Sequence, residues 1–127
     1  MGKKILTIDD SKLASVLTKR LFEEAGYVVV QASSVAEGLR TLDAEHGIDL
    51  IVTDFNMPEL TGLDFIKSVR KQNRDIPIYV LSANTEPENR IDSMNAGANG
   101  WISKPITPSA LSEILNYKRK ETHAPIL

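Results

Sequence analysis

The chain has 127 residues, 42% of them hydrophobic and 25% charged, with a formal net charge of −2 and no cysteine. That size and balance suit one folded, soluble domain with a real core, and exclude a disordered segment or a pair of domains. The absence of cysteine excludes disulfides, thiolate metal sites and cysteine nucleophiles. The weak negative charge gives no general attraction to nucleic acid or anionic lipid, and no apolar run is long enough for a membrane span.

Met1-Gly2-Lys3-Lys4 leads straight into a strand-like run with no signal-peptide core, so a cytoplasmic protein is expected. The first run is Lys4-Ile-Leu-Thr-Ile8. Leu13, Leu17 and Leu21 then recur every fourth residue, which predicts a helix burying that stripe, closed near Gly26. Tyr27-Val-Val-Val30 reads as a second strand. Ser34 is placed to cap a helix carrying Val35, Leu39 and Leu42 inward, ended near Gly47. Leu50-Ile-Val-Thr53 is a third strand, and Gly62 begins a helix with Ile66 and Val69 inward.

The second half repeats the rhythm. Ile76-Pro-Ile-Tyr-Val-Leu81 is a fourth strand. Pro87 suits the first turn of a helix with Ile91 and Met94 buried, stopping at Gly97. Trp101-Ile-Ser103 is a brief fifth strand, and Pro108 starts a last helix with Leu111, Ile114 and Leu115. Strands that alternate with helices pair in parallel through right-handed crossovers. Strands apolar on both faces are covered on both faces. The expected fold is therefore α/β, an open three-layer sandwich of a five-stranded parallel sheet with five helices. One domain is expected over residues 1–121, and 122–127 as a tail.

Ligands of open α/β sheets sit beyond the carboxyl ends of the strands. The residues there are Asp9 and Asp10 after the first strand, Asp54 after the third, Ser82 after the fourth and Lys104 after the fifth. Three carboxylates in one crevice repel, and a divalent cation relieves them. Oxygen-only ligands suit Mg²⁺ better than Zn²⁺. Taken singly, each residue also has an ordinary explanation. The aspartate pair caps a helix, Asp54 and Ser82 form turns, Lys104 is a surface lysine, and the bond before Pro105 is trans by base rate. Those explanations leave unexplained why these types fall at successive strand ends.

Ile8-Asp9-Asp10-Ser11, Thr53-Asp54-Phe55-Asn56-Met57-Pro58, Leu81-Ser82-Ala83 and Ser103-Lys104-Pro105 resemble the motifs of response-regulator receiver domains, in order and at fitting spacings. The resemblance covers roughly residues 3 to 118 and points to the stand-alone type of this CheY-like superfamily. It implies a flavodoxin-like strand order, 2-1-3-4-5. It also implies that Asp54 accepts a phosphoryl group from a sensor histidine kinase or phosphotransfer protein of a two-component phosphorelay. Asp10, Asp54 and the Asn56 carbonyl would bind Mg²⁺, with Asp9 acting through water. Ser82 and Lys104 would hold the phosphoryl oxygens. Such chemistry asks mainly for alignment and charge neutralisation, and a carboxylate is a competent nucleophile. Ala83 leaves the donor access. Asn56 and Asn84 occupy the positions that tune phosphate lifetime in the family. Chemotaxis-type regulators commonly carry glutamate at the second, so no chemotaxis role is assigned.

The family couples the hydroxyl of its Ser82 counterpart to an aromatic residue on the fifth strand, here Trp101, where tyrosine or phenylalanine is more usual. Half-buried packing of the indole on the fourth helix is an equal expectation for it. No DNA-binding or catalytic unit follows the fifth helix, so output is expected through protein contacts on the fourth helix, fifth strand and fifth helix. Lys118, Arg119 and Lys120 are explained by a helix C-terminus. The protein is expected to be a switch rather than an enzyme. The closest enzymatic alternative, a haloacid-dehalogenase-like Mg²⁺ phosphatase, wants a second acid two residues after its nucleophile, where this chain has Asn56. A flavin-type binder wants a phosphate-cradling loop where this chain has Asp9 and Asp10.

Overall fold

A computed structural model describes residues 3–83 and 86–123, with side chains as far as residue 115. Strands β1 (Lys3–Ile8), β2 (Tyr27–Ala32), β3 (Ile48–Asp54), β4 (Ile78–Ser82) and β5 (Gly100–Ser103) alternate with helices. These are α1 (Lys12–Glu24), α2 (Val35–Ala44), α3 (Gly62–Lys71), α4 (Pro87–Ala96) and α5 (Pro108–His123). All strand pairs are parallel, in the order β2-β1-β3-β4-β5. The α/β sandwich and the strand order are those expected. Helix α5 runs past the expected boundary at residue 121.

Strand alternation divides the core into two. Leu6, Ile8, Ile51 and Val80 face α2 and α3, meeting Leu42, Phe65 and Ile66. Ile5, Leu50, Val52 and Leu81 face the other way, toward Phe22 of α1 and Ile114 of α5. Helix starts are set by side-chain caps. Ser11 Oγ accepts from Ala14 N and Ser34 Oγ from Glu37 N, while Thr61 and Asp64 form a reciprocal capping box. Helix α4 opens on Pro87 and closes on Gly97, whose φ of +118° favours glycine. Among the described residues no helix is long and apolar enough to cross a membrane.

Two helices turn a different face inward from the one the sequence suggests. In α1 the buried residues are Thr18 and Phe22, while Leu13 is 71% exposed and Leu17 47%. Each residue advances the helix by about 100°, so a face centred on Thr18 and Phe22 puts Leu13 nearly opposite and Leu21 at the margin. In α4 the buried residue is Ser93, and Ile91 and Met94 are exposed. The short residues Ser93 and Ala96 lie against the sheet and turn the large ones outward.

The rim of the sheet away from the strand ends is tied by Arg70. Its guanidinium donates to the carbonyls of Gly97, Arg74 and Ile76 and to Asn99 Oδ1, at 2.7 to 3.1 Å. Asn99 Oδ1 also accepts from Ile78 N at 2.8 Å. One side chain thus joins the ends of α3 and α4 to the start of β4.

Candidate functional site

β1 and β3 are neighbours, with Ile8 opposite Thr53. The residues that follow this pair therefore emerge side by side. One carboxylate oxygen from each of Asp9, Asp10 and Asp54 lies within 4.8 Å of the others, with Asp9 and Asp54 buried and Asp10 exposed. The helix cap does not use these acids for its first turn, because Ser11 fills that role. Asp9 Oδ1 instead accepts from Ser11 N at 2.9 Å, which orients its carboxylate.

Lys104 reaches the acids from the far edge of the sheet. Its backbone N–H donates to the Ser82 carbonyl at 3.0 Å, and its Nζ stands 2.9 Å from Asp9 Oδ2 and 3.3 Å from Asp54 Oδ1. Burial holds the Asp54 carboxyl above its ordinary pKa, and the Asp9 charge adds to this; Lys104 opposes both without prevailing. Burial also disfavours the Lys104 ammonium, but its hydrogen bond to Asp9 and the Asp54 charge outweigh that and raise its pKa. The site is short of positive charge: one ammonium faces three carboxylates.

Ser82 ends β4 with its side chain buried, one residue beyond Leu81, which pairs with Asp54. Asn56, Ala83 and Pro105 are exposed, and Asn84 lies outside the described residues, as do the side chains of Lys118, Arg119 and Lys120. The Lys104–Pro105 peptide is cis, against the base-rate expectation of trans. Trp101 is half-buried against the α3-side core, its indole 5.4 Å from the Phe55 ring.

Two features of the site were not anticipated from the sequence. Gly62, read only as a helix start, passes so close to the end of β3 that a Cβ there would lie 2.6 Å from the Asp54 carbonyl oxygen. Its N–H donates to the Phe55 carbonyl at 2.8 Å. The Thr61–Asp64 spacing was the available signal for this turn. The second feature is an open apolar groove of about 650 Å³ between α1 and the segment after β5, lined by Leu13, Leu17, Leu21, Pro105 and Ile106, with Ala83 and Lys104 also in its wall.

A parallel 2-1-3-4-5 sheet with an acid trio and a lysine at its strand ends defines a signalling receiver, and the chain belongs to that family: residues 5–116 match the response regulator receiver domain model. It is a receiver domain of the two-component type. Among its relatives, the chemotaxis protein CheY1 of Helicobacter pylori (strain J99) is 37% identical over 115 residues, 88% of this chain and 93% of that protein. The response regulator SaeR of Staphylococcus aureus (strain USA300) is 31% identical over 126 residues, 96% of this chain but 54% of SaeR. The chemotaxis protein CheY4 of Vibrio cholerae superposes with a TM-score of 0.85 at 34% identity, covering 92% of this chain and 98% of that one. The phosphatase alternative gains no support from these relatives.

Proposed function

We propose that Asp54 accepts a phosphoryl group and that Asp9, Asp10 and Asp54, with the Asn56 carbonyl, hold Mg²⁺ while it does so. The observation that carries this reading is the Lys104 ammonium 3.3 Å from a buried Asp54 carboxylate that two further acids crowd. The donor set fits the ion: carboxylate oxygens gathered within 4.8 Å, with no nitrogen or sulfur among the three acids. Bound Mg²⁺ supplies the positive charge that three carboxylates and an incoming phosphoryl dianion lack.

The chain's own residues do the rest. An Asp54 carboxylate oxygen bonds to phosphorus as the P–N bond of a phosphohistidine breaks, and the imidazole leaves with the electron pair and takes a proton. In this reading Lys104 pairs with the phosphoryl oxygens, and the Ser82 hydroxyl donates to one of them. Later attack of water on phosphorus breaks the P–O bond to Asp54 and releases inorganic phosphate. The domain then acts as a switch, turning over only its own phosphate.

The donor's identity as a sensor kinase or phosphotransfer protein is part of this proposal. The groove of Leu13, Leu17 and Ile106 supports it, since exposed apolar surface with Lys104 in its wall is what a docking helix would cover. The outward Ile91 and Met94 of α4, beside β5, support protein output from that face.

Acetyl phosphate with Mg²⁺ tests the acceptor by intact mass. One added phosphoryl group is expected on the native chain and none on Asp54→Asn. Equal labelling of both refutes the assignment.

A further inference from the structure

We propose that a single water molecule is built into the fold beneath the acid site, held by Thr7, and that it props the Asp54 carboxylate from inside. Thr7 sits on interior strand β1, paired with Gln31 on one side and Val52 on the other. Its backbone belongs to the ladder, but its side chain points into the α1 layer of the core and is 3% exposed. The Thr7 Oγ1 is buried and has no hydrogen-bond partner among the described residues. A buried hydroxyl in that condition is costly, and proteins rarely leave one unanswered.

The space around it is suited to an answer. A small, partly open cavity of about 10 Å³ is lined by Thr7, Ser15, Thr18, Asp9 and Asp54, with Ile8, Val52 and Leu81 completing the walls. That volume is about one water, and a polar lining with two or more partners is what a buried water requires. Strand period explains the polarity: Thr7 lies two residues before Asp9, and Val52 two before Asp54, so the cavity is one layer inward from the acids on the same face of the sheet. Ser15 already donates to the Asp9 carbonyl at 3.4 Å, which leaves its lone pairs for the cavity. A water here accepts from Thr7 O–H and donates toward Asp54. The carboxylate is then fixed on its inner side while its outer oxygen faces the reactants. Thr7 is thus a positioning residue, acting on Asp54 through the water. This role, though not the water site itself, rests on Asp54 being the acceptor.

The test uses the full chain with Thr7→Val, which keeps the shape and removes the hydroxyl, and Thr7→Ser, which keeps the hydroxyl. A crystal structure at high resolution should show one density peak within hydrogen-bond distance of Thr7 Oγ1 in the parent and in Thr7→Ser, and none in Thr7→Val. The midpoint of urea unfolding should fall in Thr7→Val. An empty cavity in the parent, or a variant stabilised by losing an unanswered hydroxyl, overturns the site. Labelling by acetyl phosphate should slow three- to tenfold in Thr7→Val at saturating donor and recover in Thr7→Ser. An unchanged rate with the water gone overturns the positioning role. Failure of the parent to label at all would refute the acceptor and leave the density to decide the water.

Discussion

Trp101 packs its indole on the ring of Phe55, the residue directly after Asp54, with centroids 5.4 Å apart and planes tilted by 54°. The aromatic residue of β5 therefore touches the chain neighbour of Asp54. Trp101 is the sole tryptophan, so its emission should change when Mg²⁺ and acetyl phosphate are added. Phe55→Leu should shrink that change by half or more. Fluorescence indifferent to both ligands would show that the contact carries no signal.

Lys104 is the cation of a crowded acid site. Lys104→Ala leaves Asp9 and Asp54 buried without it, and a loss of about 1–3 kcal/mol at neutral pH is expected. Excess Mg²⁺ should restore much of it, since a ligand at a hundred times its Kd adds about 2.7 kcal/mol. Urea unfolding with and without Mg²⁺ reads both effects, and phosphorylation should suffer more than metal binding. Equal midpoints for parent and variant under both conditions would remove Lys104 from the account.

Asp54 titrates upward because burial, then Asp9, disfavours its charge. A carboxyl with a raised folded pKa stabilises the fold while protonated, and that contribution disappears as pH climbs through the folded value. The opposing Lys104 contribution is lost only above the lysine range, outside this window. Asp54→Asn, neutral throughout, should therefore melt above the metal-free parent near neutral pH, by roughly 1 kcal/mol or about 4 °C. The gap should close toward about pH 4, near the ordinary aspartate value. Thermal melts across that range check it; a variant that melts lower at neutral pH contradicts the sign.

The exposed face of α1 gives a prediction about donors. Leu17→Glu should change stability by no more than about 0.5 kcal/mol, as surface substitutions do. Acetyl phosphate should label it at the parental rate. A phosphohistidine protein should label it at least tenfold more slowly, which corresponds to about 1.4 kcal/mol of lost contact. Parallel rates with the two donors would show that the groove is not used.

Gly62→Ala places a methyl against the Asp54 carbonyl and the Phe55 Cα. Overpacking of this kind costs about 1–3 kcal/mol, and labelling at Asp54 should fall with it. A variant as stable and as reactive as the parent would mean that the loop yields freely.

Much of this was legible in the residues. Apolar runs such as Leu50 to Thr53 marked strands because both sheet faces are covered, and the acids and lysine could be placed because strand ends are where such a fold gathers polar groups. Strand order could not be read from periodicity, which carries no record of neighbours; it came through family resemblance. The facing of α1 differs because its leucine stripe lies to one side of the face centred on Thr18 and Phe22, and spacing alone does not say which face is buried. The facing of α4 was misread for another reason: Ser93 and Ala96, the residues that pack, carry little hydrophobic signal. Gly62 and Thr7 were passed over because closeness between segments distant in sequence leaves no local mark.

Arg70 has a mechanical consequence. By bonding the Gly97 carbonyl and Asn99 it pins α4 at its C-terminal end, whereas the helix has Ser93 as its one fully buried residue. Any tilt of α4 would therefore be smallest at Gly97 and widest at Pro87. Ile91 lies on the Pro87 half of the helix, so its exposed apolar side chain would travel further than the tied end.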